Sequence, residues 1–138
     1  MVREIVKDTK ILTQKSERFI IGQDDHLIKD MLDTADAHND ICAGLACIQI
    51  GVPKRVILVR DGAKFIPYIN PAIVHRSPQT YIAKEGCLSV DGVHEVKRHY
   101  VIKLCYDDKK GKRRIVTLSG HLAQIVQHEC DHLNGVLI

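Results

Sequence analysis

A chain of 138 residues, 45% hydrophobic and 27% charged, has the size and composition of one ordinary globular domain, residues 1–138. A formal net charge of +3, with lysines and arginines spread along the chain, and 4% aromatic residues give neither a basic face nor a stacking platform for nucleic acid. No apolar run approaches the ~18 residues of a membrane span, and the opening MVREIVKDTK lacks the apolar stretch of an export signal. The five cysteines are therefore expected as reduced thiols of a cytoplasmic protein, free to act as metal ligands.

The first predicted element is a helix over 25–37, where Leu27, Ile28, Met31, Leu32 and Ala35 recur at helical spacing and Asp24 or Asp25 is placed to cap it. ICAGLACIQIGVP follows, a small and apolar segment that suggests backbone held close to something. RVILVR (55–60) reads as a buried strand and DGAK as the turn after it. FIPYIN and PAIVHR are short strands whose prolines argue for edges or bends. HYVIKLCYDD and RRIVTLSG alternate on either side of KKGK and predict a hairpin, with Cys105 expected in the core. The last element is a helix from about Ser119 to Leu133, stopped by Asn134-Gly135. Helix, then short strands, then one C-terminal helix makes an α+β fold with antiparallel sheet packed on that helix.

The C-terminal helix carries the chemistry. Its HECDH run is the HExxH arrangement of zinc enzymes. At ~100° per residue, His128 and His132 differ by only ~40° and reach one ion. Glu129 is offset by one step, where a base for a metal-bound water belongs. Cys130 lies ~200° round from His128 and reads as a core residue. Six residues follow His132, so a third ligand is expected upstream. Cys42 and Cys47 lie in the small-residue segment, whereas Cys87 stands in KEGCLSVDG, a Gly-flanked loop from which a thiolate can approach an ion. One Cys and two His leave a fourth position open, as in catalytic sites. His26, His38, His75, His94 and His99 read as surface residues, and Asp131 as solvent-facing or in a salt bridge.

EGCLS (85–89) together with QHECDHLNG (127–135) resembles the peptide deformylase family, and CAGLACIQ (42–49) matches in part the family's first motif, Gly-x-Gly-x-Ala-Ala-x-Gln. The resemblance spans most of the chain. It implies a metal-dependent hydrolase that removes the N-formyl group from the N-terminal formyl-methionine of newly made polypeptides. Carried over residue by residue, Cys87, His128 and His132 hold one divalent ion, ferrous iron first, with zinc, nickel or cobalt able to replace it. Glu129 acts as base and then acid, Gln49 and the Leu88 N–H form the oxyanion hole, and Gly44 lies along the bound peptide. An ion pair of Glu85 with Arg98 is implied behind the metal loop. Ile125 and His121 fall near the His128 face and are expected to wall the methionine pocket, His121 having the alternative role of a polar residue near the helix start. The implied partners are a formyl-methionyl peptide or nascent chain and the ribosome, with no nucleic-acid or membrane signal.

The sequence departs from the family pattern at Cys42 and Cys47, which stand for a glycine and an alanine. Asp91 replaces a proline, the loop after it lacks an arginine, and His121 is polar where an apolar residue is expected. No Pro-Asp-Pro signature precedes the first helix, and the sequence ends soon after the motif helix. These departures motivate an alternative, a deformylase-like protein that binds metal and a ligand with little turnover. A zinc peptidase is disfavoured because it takes its third ligand from further downstream. A purely structural metal site would leave Glu129 and Gln49 without a task.

Overall fold

The computed structural model describes residues 1–138, and the unbroken apolar run of RVILVR shows how the core is built. Val56, Ile57, Leu58 and Val59 are all buried because β2 (Val56–Asp61) is covered on both faces. One face meets α3 (Gly120–Leu133), and the other meets α2 (His26–Ala37). Two apolar clusters result. Ile57 and Val59 join Val126, Cys130 and Leu133 on the α3 side, whereas Val56 and Leu58 join Met31, Ala35 and Cys47 on the α2 side. A strand buried on both faces reads as a continuous apolar run, as RVILVR does.

β2 belongs to a five-stranded antiparallel sheet in the order β1-β2-β3-β6-β7, with β1 (Gly44–Ala46), β3 (Lys64–Arg76), β6 (Val101–Asp107) and β7 (Arg113–Ser119). A separate two-stranded sheet pairs β4 (Thr80–Gly86) with β5 (Val93–His99). A four-residue helix α1 (Thr9–Leu12) precedes α2, and a 3₁₀ turn (Cys47–Ile50) follows β1. The architecture is α+β with the motif helix packed against antiparallel sheet, as expected.

Four local expectations need correction. FIPYIN and PAIVHR form one central strand, β3, rather than edge strands. Pro67 is tolerated because pairing with β6 begins only at Ile69, so β3 has one neighbour there. Pro71 sits inside a register shift between Ile69 and Ala72, next to Asn70 at φ 49. The bend is held by Asn70, which accepts from the Phe19 N–H (2.8 Å) and donates to Asp107 (2.9 Å). Asp25 stands at the N-cap of α2 as expected, but neither its side chain nor that of Asp24 makes a capping hydrogen bond. Their carboxylates accept from the Ile20 and Gly22 N–H groups (2.7 and 3.0 Å) and so brace the preceding turn. Cys105 is half-buried instead of core, because the buried apolar residues of β6 are Ile102 and Leu104, on the opposite alternation. The end of α3 falls where expected, with Gly135 at φ 77. His99, read with the later strand, instead closes β5.

Candidate active site

α3 brings His128 and His132 to one face, with their Nε2 atoms 3.1 Å apart. The loop after β4 delivers Cys87, whose Sγ lies 3.3 Å from His132 Nε2. These three donor atoms all fall within 4.8 Å of one another. The other thiols are elsewhere. Cys42 turns its Sγ to the Gly44 carbonyl (3.3 Å), and Cys47 and Cys130 are buried in the two apolar clusters. Burial pushes the thiols of Cys42, Cys47 and Cys130 up to about 12, so they stay protonated.

The donor set fits a divalent cation. His128 Nδ1 faces Glu85 Oε1 at 2.8 Å, and a proton there leaves the Nε2 lone pair directed at His132 and Cys87. Two imidazole nitrogens and a sulfur converge in this place, in mutual contact at 3.1 and 3.3 Å. His132 Nδ1 is also buried without a partner. One thiolate and two imidazoles suit zinc or iron and leave room for a further ligand.

Behind these residues lies a chain of charge. Arg98 on β5 forks onto Glu85 on β4 (Nε to Oε2 2.9 Å, Nη2 to Oε1 2.7 Å) and reaches Asp131 on α3 with Nη1 (2.7 Å). The Glu85–Arg98 pair implied by the resemblance is therefore present and buried, and Asp131 takes the salt-bridge role. Burial raises the Glu85 carboxyl, but the His128 and Arg98 hydrogen bonds outweigh it and hold the group down at about 2. Burial lowers His128, and contacts to Cys87 and Glu85 overcome that and raise it to about 10, so a cation would have to displace the Nε2 proton before that nitrogen could act as a ligand. Burial, then the neighbouring His128, pushes His132 down to about 3. Gln127, also on α3, exchanges two hydrogen bonds with the His99 backbone (2.9 and 3.0 Å) and ties the helix to β5.

Glu129 points to the other side of the pair. It is 3% exposed and its Oε1 has no partner. Burial lifts its carboxyl to about 7. Gly44 lies against it: a Cβ at this position would stand 2.7 Å from Glu129 Oε2 and 2.7 Å from Ile125 Cγ2. Gln49 is buried, and its Oε1 accepts from the Ala46 N–H (2.9 Å). That bond turns Nε2 toward Cys87 Sγ (3.3 Å) and Ser89 Oγ (3.2 Å). Ser89 escaped the sequence reading, although it stands inside EGCLS. Leu88, half-buried, makes no backbone hydrogen bond through its N–H.

A cavity of about 500 Å³ opens beside this group. Ile125 and His121 line it, as expected, and so do Gly44, Leu88 and Glu129. Gln124 lines it too and was missed, though it stands one helical turn before His128 and the same periodic argument finds it.

An HExxH helix whose imidazoles meet a thiol from an antiparallel hairpin, with a buried carboxylate alongside, is the arrangement of a metal-dependent hydrolase. A family model for polypeptide deformylase matches residues 2–138. The chain is 38% identical over 138 residues to a peptide deformylase of Clostridium beijerinckii, covering 100% of both chains. It superposes on an actinonin-bound class I type b peptide deformylase from Acinetobacter baumannii with a TM-score of 0.90 at 31% identity, over 99% of this chain and 95% of the other. A Met-Ala-Ser-bound structure of the Acinetobacter baumannii enzyme gives a TM-score of 0.89 at 29% identity, over 99% and 97%. The chain belongs to the peptide deformylase family, metal-dependent hydrolases that remove the N-formyl group from new polypeptides.

Proposed function

We propose that residues 1–138 act as one deformylase domain in which Cys87, His128 and His132 hold a single divalent cation, ferrous iron first, with zinc, nickel or cobalt able to substitute. The cation supplies Lewis acidity, bringing the pKa of a water toward ~7. The convergence of three donor atoms within 4.8 Å beside an unpartnered buried carboxylate is the observation that carries this reading.

Water attacks the formyl carbon, the C–N bond breaks, and formate and a free amine leave. Glu129 takes the proton from the water and returns it to the departing nitrogen. A carboxyl lifted to about 7 is matched to both tasks near neutral pH. Gln49 Nε2 and the Leu88 N–H donate to the oxyanion. The amide is already oriented by Ala46, so little reorganisation is needed, and such a donor is worth ~3 kcal/mol. Cys87 is a ligand and not the nucleophile. Gly44 lies along the substrate, and Ile125 and His121 wall the side-chain pocket.

The substrate is a formyl-methionyl peptide or nascent chain, by analogy with the relative that binds Met-Ala-Ser. On this reading the work is cytoplasmic and close to the ribosome. No helix of the chain is long and apolar enough to cross a membrane. The test is formate release from formyl-Met-Ala-Ser by protein loaded anaerobically with ferrous iron, repeated with nickel and with Glu129→Ala. Turnover that depends on metal and disappears in the variant, with metal still bound, is the expected result. No turnover at one metal per chain would overturn it in favour of a ligand-binding relative.

A further inference from the structure

The cavity wall next to the reaction centre is more polar than a thioether side chain requires. One helical turn, ~5.4 Å, before His128 and Glu129 come Gln124 and Ile125, and His121 stands near the start of α3. A substrate whose formyl carbon sits beside Glu129 must lay its first side chain against this column. Gln124 is half-buried, and its Oε1 accepts a hydrogen bond from the Tyr81 hydroxyl at 3.2 Å. Tyr81 is itself braced by the Tyr100 ring, 4.7 Å away between centroids. With its oxygen engaged, the amide leaves both Nε2 hydrogens without a partner in the chain, on a residue that lines the cavity. On the same wall Ile125 supplies apolar contact.

We infer that Gln124 Nε2, oriented by Tyr81, donates a hydrogen bond to the substrate's first side chain. The pocket then selects N-formyl peptides whose first residue carries an acceptor, formyl-methionine sulfoxide above formyl-norleucine. This rests on the deformylase reading above. A thioether sulfur is a weak acceptor, whereas oxidation adds a polar oxygen. A wholly apolar pocket would strand that oxygen. Here Gln124 satisfies it, and a hydrocarbon side chain instead covers the amide N–H groups and leaves them unpaired. One such hydrogen bond amounts to about tenfold in kcat/KM.

The experiment compares kcat/KM for formyl-Met(O)-Ala-Ser, formyl-Met-Ala-Ser and formyl-Nle-Ala-Ser in the native protein, Gln124→Leu and Tyr81→Phe. The expected sulfoxide-to-norleucine ratio is about 10 in the native protein, falling to about 1 in Gln124→Leu and part of the way in Tyr81→Phe. A native ratio of 1 or below, or a ratio unmoved by Gln124→Leu, overturns the inference. Absence of turnover with all three peptides refutes the deformylase reading instead. The pocket is then decided by calorimetric titration with unformylated Met(O)-Ala-Ser and Nle-Ala-Ser. Tighter binding of the sulfoxide that is lost in Gln124→Leu supports the inference, and equal affinities overturn it.

Discussion

Gly44→Ala should separate the geometry of catalysis from metal binding. The added methyl would stand 2.7 Å from Glu129 Oε2 and Ile125 Cγ2, about 0.7 Å inside the 3.4 Å of ordinary contact, and 3.0 Å from the Leu58 carbonyl. The carbonyl belongs to β2, which is paired on both sides, so it cannot yield. Glu129 and Ile125 are fixed on a buried helix, so relief must come from turning the carboxylate away or shifting β1 outward. Overpacking of this kind costs ~1–3 kcal/mol and lowers the melting temperature by roughly 4–12 °C in a chain of this size. Displacing a proton-transfer group by ~1 Å can cost ~100-fold in rate. The three atoms nearest the new methyl belong to Glu129, Ile125 and Leu58 and not to a metal-ligand candidate, so metal stoichiometry should stay at one per chain. The assay is kcat/KM for formate release, with metal content and thermal melting measured on the same samples. Native activity together with native stability would refute the argument that Gly44 is needed for close approach to Glu129. Lost activity with lost metal would instead mean that the variant disturbs the whole helix.

Glu85→Ala should weaken metal affinity ~10–100-fold by freeing the His128 ring, and should destabilise the fold by ~3–5 kcal/mol because Arg98 stays buried with only Asp131; chelator competition and melting check both. Cys87→Ser should lower metal affinity sharply while Cys42→Ser leaves stoichiometry intact, and the reverse pattern in metal analysis would identify the wrong thiol. Cys47 is one of three thiols that burial raises from 9.0 to about 12, and a variant isolates its part of the alkaline titration. A raised folded pKa stabilises the protein fully below pH ~9 and loses that contribution as pH rises toward 12, by at most ~1.4 kcal/mol per pH unit. Urea melts of the native protein and Cys47→Ala should therefore converge over that window, and parallel curves would refute it.

The parts of this molecule written in local periodicity were legible before any coordinates. α3 declares itself through apolar spacing, a Gly stop and two histidines four residues apart, and β2 through an unbroken apolar run. The β4–β5 sheet was not read as strands. β4 alternates in burial, with Tyr81, Ala83 and Glu85 inward, but residue type hides it: Ile82 is exposed, and Glu85 and, on β5, Arg98 are buried charged residues that periodicity assigns to solvent. Burial of Glu85 and Arg98 follows from pairing across strands and with α3, which no single segment can reveal. β3 shows the opposite failure. Its prolines were correctly read as disruptive, but what excuses each is the length of β6 and a register shift, both properties of the neighbour. The thiol ligand was open among several until the EGCLS resemblance singled out Cys87. Spacing says which residues share a helix face, not which distant loop folds over it.

Arg98 and Gln127 explain how the proposed catalytic group is held together across helix and hairpin. Three donor atoms must converge from two elements that share no strand pairing, α3 and the β4–β5 hairpin. Three links span the gap: the His128–Glu85 hydrogen bond, the Arg98 fork joining Glu85 to Asp131, and the Gln127 clasp on the His99 backbone. Glu85 and His128 line the cavity, whereas Arg98, Asp131, Gln127 and His99 do not, so the fork to Asp131 and the Gln127 clasp fix the hairpin on the helix from behind it. A charge network of this kind adds little net stability over apolar packing. Its value here is positional, because it sets which nitrogen of His128 carries the proton and holds the Cys87 loop over the helix. The fold's apolar energy sits elsewhere, in the two clusters on either face of β2. Packing around β2 thus makes the scaffold, and a polar seam between helix and hairpin aims the chemistry.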